Sequence, residues 1–201
     1  ARLIAWRDRH APGKPVWVTE FGWDCSTQPP KPGDEFARWQ GNTDLQQAQW
    51  LVRSLLCFAK CDVDRAYIYF FNDNDEPKLH AAAGITRKFV PKPSYWALAQ
   101  LQAVLGDYRF ARVVQETRAG PYIYDFTAAK DPAHHVYAVW SATGQGRTAP
   151  TRIELPAQAT WKLLPLALAK PSATAPAAHT GTGPLTLDAG ESVTYVVWQT
   201  P

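Results

Sequence analysis

The chain has 201 residues, enough for one ordinary domain or two small ones. Hydrophobic residues make up 46% and charged residues 19%, which excludes a disordered chain. The net charge of +3, from 21 basic and 18 acidic residues, is too small and too evenly spread for a nucleic-acid or anionic-membrane binder. No apolar run approaches the roughly 20 residues that span a bilayer.

In chain order, Arg2 to His10 reads as the end of a helix with Leu3, Ile4 and Trp6 as its apolar side. Ala11-Pro-Gly-Lys14 is a breaker turn. Val16 to Glu20 then reads as a short strand buried on both faces, bounded by Pro15 and Gly22. Glu20 has the parity of Val16 and Val18, so all three side chains are expected on one side. A carboxylate there is costly to bury unless it sits at an open strand end, where parallel α/β folds place their chemistry. Cys25 to Thr43 is a long polar loop that carries Trp39, and a loop of this length after a strand end argues for a task.

Asp44 is the expected N-cap of a helix over Leu45 to Lys60, with Leu45, Ala48, Leu51, Val52, Leu55, Leu56 and Ala59 as its apolar face. Ala66 to Phe71 reads as a second fully buried strand ending in Asn72-Asp73-Asn74-Asp75, and Pro93 opens a third helix to Leu105. Alternation of this kind means a parallel sheet with helical crossovers. From Gly106 onward helical periodicity stops. Six short β-rich runs, Phe110–Glu116, Tyr122–Phe126, His135–Trp140, Arg152–Leu155, Trp161–Leu166 and Val193–Trp198, predict an antiparallel sandwich, with an exposed loop over Ala169 to Gly183. The expected domains are therefore 1–105, α/β, and 106–201, all-β.

Lys14-Pro-Val-Trp-Val-Thr-Glu20-Phe-Gly22 resembles the seventh strand of clan A glycoside hydrolases, the (β/α)8-barrel enzymes that retain anomeric configuration. Lys92-Pro-Ser-Tyr-Trp-Ala-Leu98, after Gly84-Ile-Thr86, resembles the start of their closing helix. The resemblance covers about half the chain. It implies the C-terminal segment of a TIM barrel, strands seven and eight, followed by a β-sandwich domain like that of the β-xylosidase and α-iduronidase-type families. It implies a retaining glycosidase acting on an oligo- or polysaccharide, with Glu20 as nucleophile and no cofactor.

Trp23 and Asp24, which follow the nucleophile, and Trp39 are substrate-lining candidates, with Trp23 packed under the loop as the alternative reading. Phe70 and Phe71 stand where many relatives have a Trp floor to the sugar subsite, and Asn72 and Asp73 are candidates for hydroxyl contacts. The family's acid/base glutamate follows an Asn, and no Asn-Glu dipeptide occurs in this sequence. Asp34-Glu35 and Asp75-Glu76 lie in loops that do not match its position. Methionine is absent and Ala1 opens within a helical pattern, so the chain is expected to be a piece of a longer protein. Its expected partners are the substrate and either the missing N-terminal part of the barrel or a second copy. The alternative reading is a non-catalytic carbohydrate-binding or scaffold protein derived from such a barrel. The family resemblance suggests a secreted or periplasmic setting, and Cys25, Cys57 and Cys61 leave the redox compartment open.

No metal site is expected. Asp73-Asn74-Asp75 lacks the later Gly and Glu of a calcium loop. His134 and His135, adjacent on a strand, point to opposite faces, and both read as surface residues.

Overall fold

Residues 2–200, apart from 34, 119, 143, 145 and 173–178, are described in a computed structural model. Helix α1 (Arg2–His10) leads into β1 (Trp17–Phe21), α2 (Asp44–Lys60) and β2 (Arg65–Ile68). Short pieces β3 (Asn72–Asp73), β4 (Thr86–Arg87) and β5 (Val90–Pro91) precede α3 (Pro93–Leu105). The chain divides into two compact units, Ala1–Leu98 and Ala99–Pro201, the division falling inside α3. Among the described residues no sheet closes on itself.

In the first unit β1 and β2 run parallel, joined by α2, and β3, β4 and β5 form a separate small sheet. Thr43, not Asp44, caps α2. Its hydroxyl accepts from Gln46 N–H while the Gln46 side chain accepts from Thr43 N–H, a reciprocal capping box. Asp44 is released from that role and forms a two-pronged ion pair with Arg87, at 2.7 and 2.9 Å. Ala48, Leu51, Val52 and Leu56 of α2 are buried, as the periodicity predicts, whereas Leu45 is exposed.

Neither strand is buried on both faces. Trp17, Thr19 and Glu20 are exposed and Val18 and Phe21 half-buried, and in β2 Arg65 and Tyr67 are exposed while Ala66 and Ile68 are half-buried. The apolar composition of these runs is that of doubly covered strands, but only the Val18–Phe21 side receives cover here. Phe21 meets Phe58 of α2 edge-on at 5.0 Å. The expected parity of Glu20 also fails. Val18 pairs with Ala66 and Phe21 with Ile68, so β1 spends one more residue than β2 between those pairs. A bulge of this kind sets two residues opposite one and re-aims a side chain. Glu20 accordingly shares the exposure of Trp17 and Thr19 rather than following Val16 and Val18.

The second unit is antiparallel throughout. Its strands are β6 (Tyr108–Glu116), β7 (Pro121–Ala128), β8 (His134–Ser141), β9 (Ala149–Ile153), β10 (Thr160–Pro165), β11 (Thr180–Thr182), β12 (Leu185–Ala189) and β13 (Thr194–Gln199). Six form one sheet in the order β11-β10-β13-β8-β7-β6, and β12 pairs with β9. Strands β11 and β12 go beyond the six expected. β11, Thr-Gly-Thr, has no apolar alternation to announce it, and part of the expected loop around it, 173–178, lies outside the described residues.

One face of the large sheet contributes Ile123, Tyr137, Val139, Val196 and Trp198 to a core shared with Ile153, Leu155, Leu185 and Ala189 of the β9–β12 region. Residues of the opposite parity, among them Tyr124, Phe126, Val136, Trp140 and Tyr195, are buried as well. His135 is not a surface residue. Its ring stacks on Trp198 at 4.2 Å and its Nδ1 lies 3.0 Å from the buried Asp125 carboxylate.

Candidate active site

Glu20 stands one residue from the C-terminal end of β1, exposed, beside a pocket of about 580 Å³ that it lines with Phe21, Gly22, Asp24, Tyr69, His80 and Ala83. Gly22 is required by a close approach. A Cβ at that position would lie 2.3 Å from the Tyr69 carbonyl oxygen. Tyr69 N–H in turn donates to the Phe21 carbonyl at 2.8 Å. The glycine that follows the glutamate in the motif therefore lets the ends of β1 and β2 pass each other and brings Tyr69 beside Glu20. The Tyr69–Phe70 peptide is cis.

Asp24 lines the same pocket, and both its carboxylate oxygens are engaged. Oδ2 accepts from His80 N–H and Oδ1 from Ala82 N–H, each at 3.0 Å. It therefore pins the loop that carries His80. Gln47, fully buried on α2, fixes the same floor: its amide donates to the carbonyls of Trp23, Ala83 and Gly84, and its oxygen accepts from Ser94.

The remaining candidates are placed elsewhere. Trp23 packs edge-on against Trp50 of α2 and Phe21, which is the role of a loop anchor. Trp39 is half-buried, its ring folded over Gly41, where a Cβ would come within 2.2 Å of it. Phe70 is half-buried and Phe71 59% exposed, and neither lines the Glu20 pocket. Asn72 Oδ1 accepts from Thr86 Oγ1 and from Phe89 N–H. Asp73 is 2% exposed and sits 2.5 Å from the buried Lys92 ammonium, while also accepting from Asp75 N–H. Of the loop carboxylates, Asp34 lies outside the described residues and Glu35 is exposed.

Around Asp73 runs a network that sequence reasoning did not assemble. Lys92 Nζ also lies 3.3 Å from the Ala82 carbonyl and 3.4 Å from Cys25 Sγ. Burial, offset in part by Lys92, pushes the Cys25 thiol up to about 12, so it is an inert apolar filler at neutral pH. Asp75 accepts from Thr27 through both backbone and hydroxyl and from the Gln28 amide. Arg87 Nε is 3.0 Å from Asp75 Oδ1, close enough for an ion pair but not aligned as a hydrogen bond. Burial alone would raise the Asp75 carboxyl, but Thr27, Gln28 and the Arg87 charge outweigh it and hold it down at about 2. These charges tie the loops after β1 and β2 together. Tyr69, His80 and Ala83 are the pocket residues that the sequence reading missed. The available signal was Tyr69's place immediately after β2, at the level of Glu20.

The sequence matches no protein-family model and no curated protein. Its fold matches solved glycoside hydrolases. A family 39 glycoside hydrolase from the gut symbiont Bacteroides cellulosilyticus WH2 aligns with 98% of this chain at a TM-score of 0.71 and 22% identity. A GH30 endoxylanase from Clostridium papyrosolvens C71 aligns with 98% at 0.59 and 12% identity. A GH44 xyloglucanase from Paenibacillus polymyxa aligns with 100% at 0.56 and 10% identity. The alignments take up 37%, 45% and 35% of those proteins, so the chain spans less than half the length of the structures it matches. The resemblance to clan A glycoside hydrolases holds over nearly the whole chain at the level of fold.

Proposed function

We propose that this chain is the nucleophile-bearing portion of a retaining glycoside hydrolase: the last two strands of a (β/α)8 barrel followed by a β-sandwich. The observation that carries the reading is the placement of Glu20, exposed at the carboxyl end of a parallel strand beside a pocket walled by Tyr69. In this reading a Glu20 oxygen attacks the anomeric carbon as the glycosidic C–O bond breaks. The resulting glycosyl ester is then hydrolysed by water. The departing oxygen needs a proton from a second carboxyl group about 5 Å away. Asp24, the other carboxylate lining the pocket, has both oxygens occupied by backbone N–H groups and serves to anchor the loop that carries His80. The acid is therefore supplied by the remaining strands of the barrel, as another segment or another copy, which would also cover the exposed rings of Trp17 and Tyr67.

Covalent trapping tests this. Activated 2-deoxy-2-fluoro glycosides have leaving groups that need no acid, so Glu20 is read alone. The expected result is one added fluoroglycosyl mass on the Glu20 peptide, absent in Glu20→Gln. A label on another residue, or none from this chain even when the rest of the barrel is supplied, would overturn the reading. The second outcome would favour a carbohydrate-binding or scaffold protein, for which the missing proton donor is the present support.

A further inference from the structure

One wall of the Glu20 pocket comes from the loop between β3 and β4, and His80 is its exposed polar member. His80 has φ +61, in the left-handed region that residues with a side chain adopt rarely. Such a backbone persists where its surroundings hold it, and it gathers at ligand clamps. Here the hold comes from the segment that follows Glu20. Asp24 accepts from His80 N–H with one carboxylate oxygen and from Ala82 N–H with the other, each at 3.0 Å. The Ala82 carbonyl in turn accepts from Cys25 N–H at 2.9 Å and from the buried Lys92 ammonium at 3.3 Å. The residues on either side of Ala81 are therefore tied down beside the glutamate, and the imidazole is set at the pocket wall.

The backbone of His80 is committed and its ring is not. Neither the His80 ring nor the Tyr69 hydroxyl has a hydrogen-bond partner among the described residues. Of the other polar side chains lining the pocket, Glu20 is assigned to the anomeric carbon and Asp24 has both oxygens occupied. A neutral imidazole offers one donor and one acceptor, and a sugar hydroxyl can use either. The charge of the pocket narrows the choice of sugar. Two carboxylates line it and, among the described residues, no Lys or Arg does. A carboxylate on the sugar would meet like charge with no counterion.

We propose that His80 hydrogen-bonds a hydroxyl of a neutral sugar held in front of Glu20, and so serves as a recognition residue of this pocket. The choice of a sugar as occupant rests on the glycosidase reading; the clamped loop and the free imidazole do not.

Proton–nitrogen NMR of the histidine rings in the full chain tests it, with His80→Gln to assign the His80 signals. Neutral methyl glycosides of pentoses and hexoses, both anomers, are titrated in, and methyl glucuronides in parallel. The His80 ring signals should move with at least one neutral glycoside and less with the glucuronides, while the other histidines stay in place. No movement with any neutral glycoside, or an equal or larger movement with the glucuronides, would overturn the proposal. In the trapping reaction, His80→Leu should raise the half-saturating concentration of the fluoroglycoside about threefold to tenfold and leave the limiting rate of labelling unchanged. His80→Gln restores a donor and an acceptor at similar reach and should recover most of that loss. An unchanged half-saturation in His80→Leu, or a loss that His80→Gln does not recover, would also overturn it. Movement of the His80 signals without any label on Glu20 would remove the nucleophile and leave the sugar contact standing. Label on Glu20 without movement at His80 would do the reverse.

Discussion

The two units solve the problem of covering apolar surface differently. In the second, Trp140 is 2% exposed and fixed by Tyr122 stacked at 5.1 Å and Tyr124 edge-on at 4.8 Å. In the first, Trp17 is 49% exposed, touched on its own face by Arg65 at 4.9 Å and Tyr67 at 6.2 Å. Trp6 of α1 is 57% exposed, and α1 buries no residue at all. The same residue type is core in one unit and open surface in the other. The face that carries Glu20 is the one left open, and contiguous exposed rings of this kind mark a surface made to be covered or to bind.

The largest effect should come from the closed unit. Trp140→Ala is expected to cost about 3–5 kcal/mol in denaturant unfolding, because the ring's neighbours cannot collapse into its space. A loss below about 1 kcal/mol would mean that the sheet is not packed as described. In the open unit the corresponding sensitive point is backbone, not side chain. Gly22→Ala puts a methyl carbon against the Tyr69 carbonyl, and strand ends must part to admit it. A destabilisation of about 1–3 kcal/mol is expected, together with loss of Glu20 labelling. Unchanged labelling would show that the approach of Tyr69 to Glu20 does not organise the pocket.

The chain order of elements was legible because helical periodicity and breaker residues are local signals. Helices α1 and α3 fall where their patterns end, and Pro93 opens α3 as expected. The strand ends that build the pocket were legible only in part. Thr-Glu-Phe-Gly located Glu20, but a bulge is a property of two strands in register, and no run of residues in β1 announces it. Asp73 and Lys92 illustrate the other limit. Each was notable by itself, one as a hydroxyl ligand and one as a motif lysine, yet their 2.5 Å pairing joins residues on different elements and appears only in three dimensions. The α2 cap is Thr43 and not the acidic residue beside it, and its three-residue spacing to Gln46 is itself a local signal.

A third test addresses whether the open unit is held by its charges where it lacks cover. Asp75 is depressed to about 2 from an ordinary value of 3.8. A depressed carboxyl stabilises the fold above its unfolded value, and that contribution drains away as pH falls from about 4 to about 2. Asp75→Asn should lower stability by about 1–3 kcal/mol at neutral pH and flatten the acid limb of a Tm-against-pH curve. An acid limb of the same slope in the variant would assign acid sensitivity to other carboxylates. Thr43→Ala, removing the α2 cap, should cost about 1 kcal/mol at every pH.

The smallest stability effect is the one that separates the units most cleanly. Trp17→Ser removes a large ring, yet the ring's outer face meets solvent, so unfolding free energy should change by no more than about 0.5 kcal/mol. That is several-fold less than Trp140→Ala, with the same residue type deleted. If the open face is covered by further barrel strands, the same substitution should instead weaken association with them, read by sedimentation of the chain alone and in mixture with the complementing segment. A loss of several kcal/mol in the isolated chain would mean that Trp17 is already packed, and that the contrast between an open and a closed unit does not hold.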